Sequence, residues 1–373
     1  MPMLSRADTS LLGRWWWTVD RWTLVAIATL IGFGYIMMLA ASPAVADRIH
    51  VARDMFILKQ VFFLLLAGMI VVVVSLLSPR GIRRVALAGC VIALALTALT
   101  LVAGVEIKGA RRWVNIPFFS LQPSEFLKPC FAITAAWLLA EGQRVKRFPG
   151  MLIAGVIYAL IALLLKSQPD MGMLAVITGV FFIQLYIGGL NLLLVGIGLG
   201  AIGAGAVAAY TFFPHVQSRV TRFLDPTSGD NFQITKALEA FGNGGLWGRG
   251  PGEGRIKDTI PDAHADFVFA VAGEEFGMMI CLVIIAVFAF IVLRGLLRPL
   301  AENDSFVVLG ATGLAAGFGL QAFVNMASTL HLIPTKGMTL PFISYGGSSV
   351  IAVALGVGML LALTRRRHNG ELL

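Results

Sequence analysis

The stretch PDAHADFVFAVAGEEFGMMICLVIIAVFAFIVL, residues 261–293, decides the fold of this 373-residue chain. Its second part is an unbroken apolar run that, as a helix, matches the roughly 30 Å hydrocarbon thickness of a bilayer. Its first part gathers the carboxylates of Asp262, Asp266, Glu274 and Glu275. Burying an ionised group costs several kcal/mol unless the group is paired or lines a wet cavity. The stretch therefore predicts a membrane helix that begins at a functional polar cluster.

Composition extends this prediction to the whole chain. Hydrophobic residues make up 58% and charged residues 13% of the sequence, whereas an average soluble chain has about 25% charged residues. The apolar runs are continuous, which excludes the alternating pattern of an outer-membrane barrel.

The basic residues behind the net charge of +9 lie in separate short loops, so nucleic-acid binding is not expected. The three cysteines lie in apolar runs without paired spacing and indicate neither disulfides nor a metal site.

The predicted fold class is an all-α, polytopic integral membrane protein with about ten transmembrane helices. We place them at about 22–43, 55–77, 84–104, 124–140, 149–166, 171–188, 191–213, 267–293, 305–330 and 345–364. Basic residues in the short loops favour a cytoplasmic position for both termini. This gives a tail at 1–21, a single transmembrane domain at 22–364 and a tail at 365–373. The large extracytoplasmic loop, about 214–266, lies between helices 7 and 8, and such long loops are usually functional.

Asp266 lies where this long loop enters the eighth span. A carboxylate at a helix N-terminus is stabilised by backbone N–H groups, so helix capping is one interpretation. The other is a general base at the membrane surface that takes a proton from a hydroxyl of a lipid-linked substrate. Asp262 and His264 then either tune its pKa or are ordinary loop residues. Glu274 and Glu275 lie about two helical turns further on. We expect at least one of them to contact a cation or a water-filled cleft, and polar packing between helices is the alternative.

A second polar group precedes the fourth span. The segment GARRWVNIPFFSLQPSEFLKP, residues 109–129, is predicted to be an interfacial or re-entrant piece that leads into the helix. Glu125 and Lys128 are three residues apart and share a helix face, so an intrahelical ion pair is one interpretation. In the other, they line a polar cleft together with Asp170. Arg112, in the same segment, is a candidate for a supporting contact.

Four cations of the predicted outer loops are candidates for binding an anion. Arg219 and Arg222 share one face if their segment is helical, and guanidinium groups bind phosphate bidentately. Arg249 lies in FGNGGLWGRGPGEG, whose glycines allow the backbone to approach a substrate or form a flexible loop. This motif lacks the strand and helix of a dinucleotide site. Lys336 lies in IPTKGMTLPFISYGGSS, where prolines and glycines indicate irregular backbone at membrane depth.

Several motifs occur in order and at fitting distances: GARRW, QPSEFLK, QPDMG, RFLDP, GGLWGRGPGEG, PDAHADFVFAVAGEEFG and PTKGMTLPFISYGGSS. With them the chain resembles the SEDS family (shape, elongation, division, sporulation), bacterial membrane enzymes that polymerise peptidoglycan strands from lipid II. The resemblance covers nearly the whole chain and is closer to the division branch than to the elongation branch. The chain departs from the family at Ala265, usually Thr, at Asp262, often Glu, and at Lys236, where many members carry Gln.

The resemblance implies that Asp266 is the family's essential acidic residue and that Glu125, Lys128 and Asp170 belong to its central cavity. The implied function is a glycosyltransferase that polymerises lipid II into β-1,4 strands during cell division, at the outer face of the bacterial cytoplasmic (inner) membrane. Inversion and release of polyprenyl diphosphate accompany each transfer. The sequence requires no cofactor, and a divalent cation (Mg or Mn) between the diphosphate and a carboxylate is compatible with the chemistry.

The resemblance also implies a set of partners. They are lipid II, the growing lipid-linked glycan, a class B penicillin-binding transpeptidase and other divisome proteins, with a location at the septum. Two other functions remain open from the residues. A lipid II flippase needs the same cationic cavity but no base, and a non-catalytic division scaffold should tolerate the loss of Asp266.

Overall fold

The computed structural model describes residues 10–48, 53–107, 110–116, 119–225, 232–334 and 337–366. Helices dominate it. They are α1 (Leu11–Thr18), α2 (Arg21–Arg48), α3 (Arg53–Ser75), α4 (Pro79–Ala103), α5 (Ser124–Arg144), α6 (Gly150–Ser167), α7 (Met171–Ile187), α8 (Leu192–Phe212), α9 (Pro214–Leu224), α10 (Phe232–Gly244), α11 (Val268–Leu297), α12 (Ser305–Thr329) and α13 (Gly347–Leu363). The described ranges also contain three short strands: β1 (Val105–Ile107), β2 (Ala110–Ile116) and β3 (Phe119–Leu121).

Each of the ten predicted spans overlaps one helix, from α2 to α8 and from α11 to α13. Among the described residues, seven segments are long and apolar enough to cross a membrane: Arg21–Ser42, Met55–Ser75, Pro79–Ala103, Gly150–Ser167, Leu193–Phe212, Val268–Ala301 and Ser305–Thr329. The apolar helices α7 and α13 are shorter, and α5 carries several charged residues. The helical membrane fold is thus confirmed, while the count of ten spans stays a prediction.

The strands were not predicted from the sequence. They form an antiparallel sheet in the order β1, β2, β3 within the segment that leads into α5. Val105 pairs with Trp113, and Val114 pairs with Leu121. β-branched and aromatic side chains favour such pairing. The sheet therefore takes the place of the interfacial or re-entrant piece expected at 109–129.

The centre of the bundle is formed by α5, α12 and α13, because most side chains of these helices are buried. Small residues let neighbouring helices approach closely. A Cβ built on Gly358 of α13 would lie only 2.8 Å from Val74 Cβ of α3, and one on Gly295 of α11 only 2.7 Å from Ala315 Cβ of α12. Such close packing fixes the ends of the helices that carry the polar residues described below.

Both described ends of the chain meet on one side of the bundle. Arg365 Nε donates a hydrogen bond to Thr18 Oγ1 over 3.0 Å, and Arg366 N donates to Thr18 O over 3.0 Å. Trp15 Nε1, near the other end of α1, donates to Ser75 Oγ at the end of α3 over 2.8 Å. These contacts agree with an even number of spans, and the cytoplasmic identity of this side stays a prediction.

A cluster of charges marks the same side. Asp20 is buried and accepts hydrogen bonds from Arg294 over 2.7 and 2.8 Å, while Arg298 Nε lies 3.3 Å from its carboxylate. Burial by itself would raise the pKa of Asp20, but the hydrogen bonds from Arg294 and Thr23 and the charge of Arg298 hold it below its ordinary value. We call Asp20, Arg294 and Arg298 the terminal-side cluster.

Candidate functional site

Asp266 lies at the opposite end of the bundle, immediately before α11. It is half-buried, and its carboxylate faces the loop before α13, since a Cβ built on Gly337 would lie 2.9 Å from Asp266 Oδ2. The N-cap of α11 is Phe267, which makes no side-chain capping bond. Phe267, and not Asp266, therefore occupies the N-cap position of α11.

Two buried side chains hold the backbone on either side of this carboxylate. Asn325 Nδ2 of α12 donates hydrogen bonds to Asp266 O over 3.0 Å and to Met338 O over 2.5 Å. Ser344 Oγ donates to Ala265 O over 2.5 Å. Both Asn325 and Ser344 are fully buried. We call these two residues the carbonyl clamp, because they fix consecutive carbonyl groups from two separate segments.

A second network joins α5, α12 and α13. Lys128 Nζ lies 2.6 Å from Glu125 Oε2, so the predicted ion pair is confirmed, and both side chains are nearly buried. Lys128 Nζ also donates to Gln321 Oε1. Gln321 Nε2 in turn donates to Thr339 O over 3.0 Å, and the hydroxyls of Thr339 and Ser349 lie 2.6 Å apart. The network ends in the loop that faces Asp266.

A cavity adjoins this network. Its polar lining residues are Lys128 and Gln321, and the others are Pro129, Ala132, Gly313, Leu314, Gly317, Phe318, Ala352, Val353, Gly356 and Val357. Its volume is about 40 Å³. That volume can hold water, because one water needs about 10–15 Å³. Lys128 of the ion pair therefore borders a space large enough for water.

Asp170 and Arg112 shape the turn between α6 and α7. Asp170 caps the first turn of α7, because its Oδ1 accepts a hydrogen bond from Met173 N over 3.2 Å. Arg112 donates to Gln168 O over 2.8 Å and to Pro169 O over 2.6 Å, and lies 3.8 Å from Asp170 Oδ2. Gln122 Nε2, just before α5, lies 3.4 Å from the same oxygen. Both residues thus have structural contacts here, and a role of Asp170 in a cleft stays a prediction.

Asp262 and His264 form the turn that leads to Asp266. Asp262 has a positive φ of 54°, and its carbonyl accepts hydrogen bonds from the amides of Ala265 and Asp266. The ring of His264 is buried between Phe56 and Tyr345, with ring centroids 5.3 and 5.1 Å away. Burial lowers the pKa of His264, although the charge of Asp262 acts to raise it.

Glu274 serves as an anchor for the loop before Asp266. It is fully buried. Its Oε1 accepts hydrogen bonds from Arg255 N, Ile256 N and Asn243 Nδ2 over 2.8–2.9 Å, and Oε2 accepts from Lys257 N over 2.9 Å. The carboxylate is therefore stabilised by converging N–H dipoles.

Glu275 supplies the predicted contact with a cation. Its carboxylate forms an ion pair with Lys257, and both side chains are buried. Lys257 Nζ also donates to Ala40 O near the end of α2 over 3.0 Å. The expectation that one of the two glutamates meets a cation is thus confirmed, and the cation comes from a loop residue that the sequence did not single out.

The glycine-rich motif packs against an interruption in α11. At Gly277 the helix has φ 77° and ψ 177°, a conformation reserved for glycine. The loop at 245–250, which we call the junction loop, pairs with the opened backbone. Its bonds are Arg249 N to Glu274 O, Gly250 N to Glu275 O, Met278 N to Gly245 O and Met279 N to Leu246 O. A Cβ at Gly248 would collide with Glu275 O, so glycine at this position allows contact with α11. The expected approach of the motif to a substrate stays a prediction.

The four candidate anion ligands are only partly described. The exposed Arg249 donates hydrogen bonds to Asn243 O over 2.7 Å and to Asn243 Oδ1 over 2.7 and 3.0 Å. Arg219 and Arg222 lie on α9, which confirms that their segment is helical, but their side chains lie outside the described residues. Lys336 also lies outside them. Diphosphate binding by these cations stays a prediction.

Lys257 and the buried side chains of Gln321, Asn325 and Ser344 that fix the site were not predicted from the sequence. Gln321 and Asn325 had a usable signal, because they are four residues apart on one face of an otherwise apolar helix. A polar side chain inside a membrane span is a functional candidate by default. Ser344 had no such signal, since it lies in an irregular loop where serine is ordinary.

Comparisons with known proteins agree with these observations. A family model described as "Cell cycle protein" (FtsW, RodA, SpoVE) matches residues 21–369. The probable peptidoglycan glycosyltransferase FtsW of Caulobacter vibrioides is 44% identical over 365 residues, which cover 97% of this chain and 93% of the relative. That of Trichlorobacter lovleyi is 35% identical over 355 residues, covering 91% and 92%.

Two solved structures are also similar. One chain belongs to a peptidoglycan synthase complex that coordinates polymerization and crosslinking. It aligns with a TM-score of 0.77 and 27% identity, over 93% of this chain and 97% of that one. The rod shape determining protein RodA of Thermus thermophilus aligns with a TM-score of 0.69 and 26% identity, over 94% and 97%.

Proposed function

Because this chain belongs to the FtsW/RodA/SpoVE family of cell cycle proteins, we propose that this peptidoglycan glycosyltransferase polymerises lipid II into β-1,4 glycan strands during cell division. Its similarity to relatives named FtsW supports the division branch. The observation that carries the proposal is Asp266, whose carboxylate stands at the end of the bundle opposite both described ends of the chain and whose backbone is fixed by the carbonyl clamp. With cytoplasmic termini, this end faces outward.

Asp266 acts as the general base in this proposal. It takes the proton of the acceptor 4-hydroxyl as that oxygen attacks the anomeric carbon of the donor. The bond from this carbon to the diphosphate breaks, and polyprenyl diphosphate leaves with the bonding electrons. One displacement converts an α-linked donor into a β-1,4 product. The fixed backbone around Asp266 favours this step, because a small misplacement of a catalytic base lowers the reaction rate strongly.

In this proposal, cations of the predicted outer loops neutralise the departing diphosphate. Support comes from the contact between Phe223 of α9 and His331, just after α12, whose ring centroids are 4.9 Å apart. This contact brings α9 to the end of α12 that binds Asp266. The proposed partners of the diphosphate are Arg219, Arg222, Arg249 and Lys336. Within the described ranges no group of three or more His, Cys, Asp or Glu is placed to hold a metal ion.

The remaining candidates divide into two groups. Glu125 and Lys128 are proposed to meet substrate at the border of the cavity, with Asp170 near the start of α7. The other group supports the site by fixing the segments around it, through the contacts described above. Its members are Arg112, Asp262, His264, Glu274 and Glu275.

A transpeptidase partner is part of the proposal. The similar chain in the peptidoglycan synthase complex works where polymerization is coordinated with crosslinking. We propose that this protein likewise acts with a class B penicillin-binding transpeptidase, together with other divisome proteins, in the cytoplasmic membrane at the septum. The strands that it releases then become the substrate for cross-linking.

The test is polymer formation from purified lipid II by the detergent-solubilised protein. It is run with and without a partner transpeptidase that lacks its own glycosyl transfer. We expect glycan polymer that lysozyme digests. Translocation of fluorescent lipid II in liposomes without any polymer would favour a flippase, and neither activity in a folded preparation with its partner would favour a scaffold.

Substitutions in the carbonyl clamp should lower activity without unfolding the protein. Asn325→Ala and the nearly isosteric Asn325→Asp both remove the Nδ2 donor that holds Asp266 O. We expect kcat for polymerisation to fall about 10- to 100-fold in each, because a misplaced base slows proton transfer, while KM for lipid II changes little. The measurement is steady-state polymerisation together with a thermal unfolding curve.

Two controls complete this prediction. Ser328→Ala removes only a local hydrogen bond to Asn325 O on the same helix and should leave kcat near the wild-type value. Ser344→Thr keeps a hydroxyl and should retain more activity than Ser344→Ala. Wild-type kcat in both Asn325 variants would rule out the positioning role.

A further inference from the structure

We propose that the tip of the junction loop, Leu246 and Trp247, inserts into the headgroup region of the membrane and anchors the Asp266 segment at the bilayer surface. Trp247 is 79% exposed and Leu246 is 50% exposed. Both residues project from a loop that is otherwise made of glycine and Arg249. This inference concerns membrane binding and does not depend on the proposed reaction.

The height of the loop follows from the lengths of three helices. In α11, the segment from Met278 to Leu297 has about 20 residues, or roughly 30 Å, which is the hydrocarbon thickness of a bilayer. Its lower end lies at the terminal-side cluster, where Arg294 and Arg298 bind Asp20. The interruption at Gly277 therefore marks the opposite hydrocarbon boundary.

The other two helices give the same boundary independently. In α2, about 20 residues separate Arg21 from Ala40, and Ala40 O accepts the hydrogen bond from Lys257. In α12, about 20 residues separate Ser305 from Asn325, which binds Asp266 O. Both polar contacts thus lie roughly 30 Å from the terminal side. Asp266 and the interruption in α11 share the level of the membrane surface.

The junction loop is fixed rigidly at this level. Gly245 O accepts from Met278 N over 2.9 Å, and Leu246 O accepts from Met279 N over 3.3 Å. A Cβ on Gly277 would collide with Gly248 N and Leu246 O, so the two backbones touch without intervening side chains. Leu246 and Trp247 are therefore presented on a firm support at the top of the membrane span.

Lipid is the occupant that fits the exposed surface. Directly below the loop, the exposed side chains of α11 are apolar: Met278 is 49% exposed, Met279 43%, Leu282 52% and Val283 54%. These side chains belong to the segment Val268–Ala301, which is long and apolar enough to cross a membrane, so they face acyl chains. Leu246 and Trp247 continue the same surface upward. Tryptophan is enriched at the headgroup level, where its ring meets apolar chains and its N–H meets water.

Anchoring would fix the height of the site relative to lipid headgroups. The loop that runs from Trp247 to Asp266 is fastened to α11 through Glu274 and through the Lys257–Glu275 ion pair. The tip, these contacts and Asp266 therefore move together. A substrate whose reacting group is tethered to a membrane lipid would meet the carboxylate at a constant depth.

The test measures the depth of residue 247 in phospholipid nanodiscs. A nitroxide label is placed on Trp247→Cys, with Met279→Cys as the lipid reference and the exposed Glu253→Cys as the water reference. The native Cys90, Cys130 and Cys281 are buried and should remain unlabelled. Collision rates with oxygen and with a water-soluble nickel chelate are then compared. We expect the oxygen-to-nickel ratio at 247 to fall between the references and to exceed that at 253 several-fold.

Two results would overturn the proposal. A ratio at 247 equal to that at 253 would place the tip in water. Protection from both reagents would show that protein, such as a partner or a second copy, covers it. If the label disturbs the loop, quenching of tryptophan fluorescence by lipids brominated near the headgroup replaces it. The quenched signal should then be smaller in Trp247→Phe than in the wild type, and an unchanged signal would again contradict lipid contact.

Discussion

Asp266→Asn is expected to reduce polymer formation from purified lipid II by about 10²- to 10⁴-fold, the usual contribution of a general base. The amide has nearly the shape of the carboxylate but cannot accept the proton. The backbone contacts of Asp266, with Asn325 and with Asp262 O, do not involve its side chain and should persist. The measurement is the rate of glycan polymer formation at equal amounts of folded protein.

A matched control separates loss of the base from loss of negative charge in the loop. Glu253→Gln removes a carboxylate from an exposed position of the same loop and should retain the wild-type rate. Lipid II binding should be similar in both variants, because the change affects proton transfer and not substrate contacts elsewhere. Equal polymer from the wild type and Asp266→Asn would remove Asp266 as the base.

Lys257→Met should destabilise the protein by about 3–5 kcal/mol, because it leaves the carboxylate of Glu275 buried without its cation. Glu275 and Lys257 are both buried, and Lys257 also holds Ala40 O. The free energy of unfolding is measured by titration with SDS in mixed micelles, followed by circular dichroism. The double variant Lys257→Met/Glu275→Leu should recover most of this loss, since a well-packed apolar pair often replaces a buried ion pair at little cost.

An exposed ion pair in the same region provides the comparison. Lys236 and Glu239 on α10 lie 2.6 Å apart with both side chains partly in solvent. Lys236→Met should cost less than about 1 kcal/mol, because solvent screens such pairs. If Lys257→Met cost no more than Lys236→Met, the buried pair would contribute nothing specific. If the double variant were as unstable as the single one, lost packing and not the unpaired charge would explain the result.

Local features of the site followed well from the sequence. The Glu125–Lys128 pair was predictable because residues three apart on a helix are neighbours whatever surrounds them. A cationic partner for Glu274 or Glu275 was predictable because a buried carboxylate has few other stable arrangements. Its identity was not, since Lys257 is reached through a turn whose path depends on backbone hydrogen bonds to Glu274.

The role of the glycine-rich motif shows the same limit. Its composition indicated backbone freedom and close approach, and close approach is what the structure has. The approaching surface that the structure shows is α11 at Gly277, and approach to a substrate stays a prediction. A glycine in the sequence predicts that another group approaches the backbone closely. Which group approaches is determined only by the packing of α10 against α11.

By itself, the sequence determined the membrane-spanning helices, their order and the carboxylate that begins α11, because apolar length and periodicity are local properties. Tertiary structure alone decided which groups hold that carboxylate. Asn325 and Ser344 are 59 and 79 residues away in the chain from the carbonyl groups they bind. Such contacts depend on how helices pack against one another. The sequence pattern of a single segment therefore does not identify its distant contact partner.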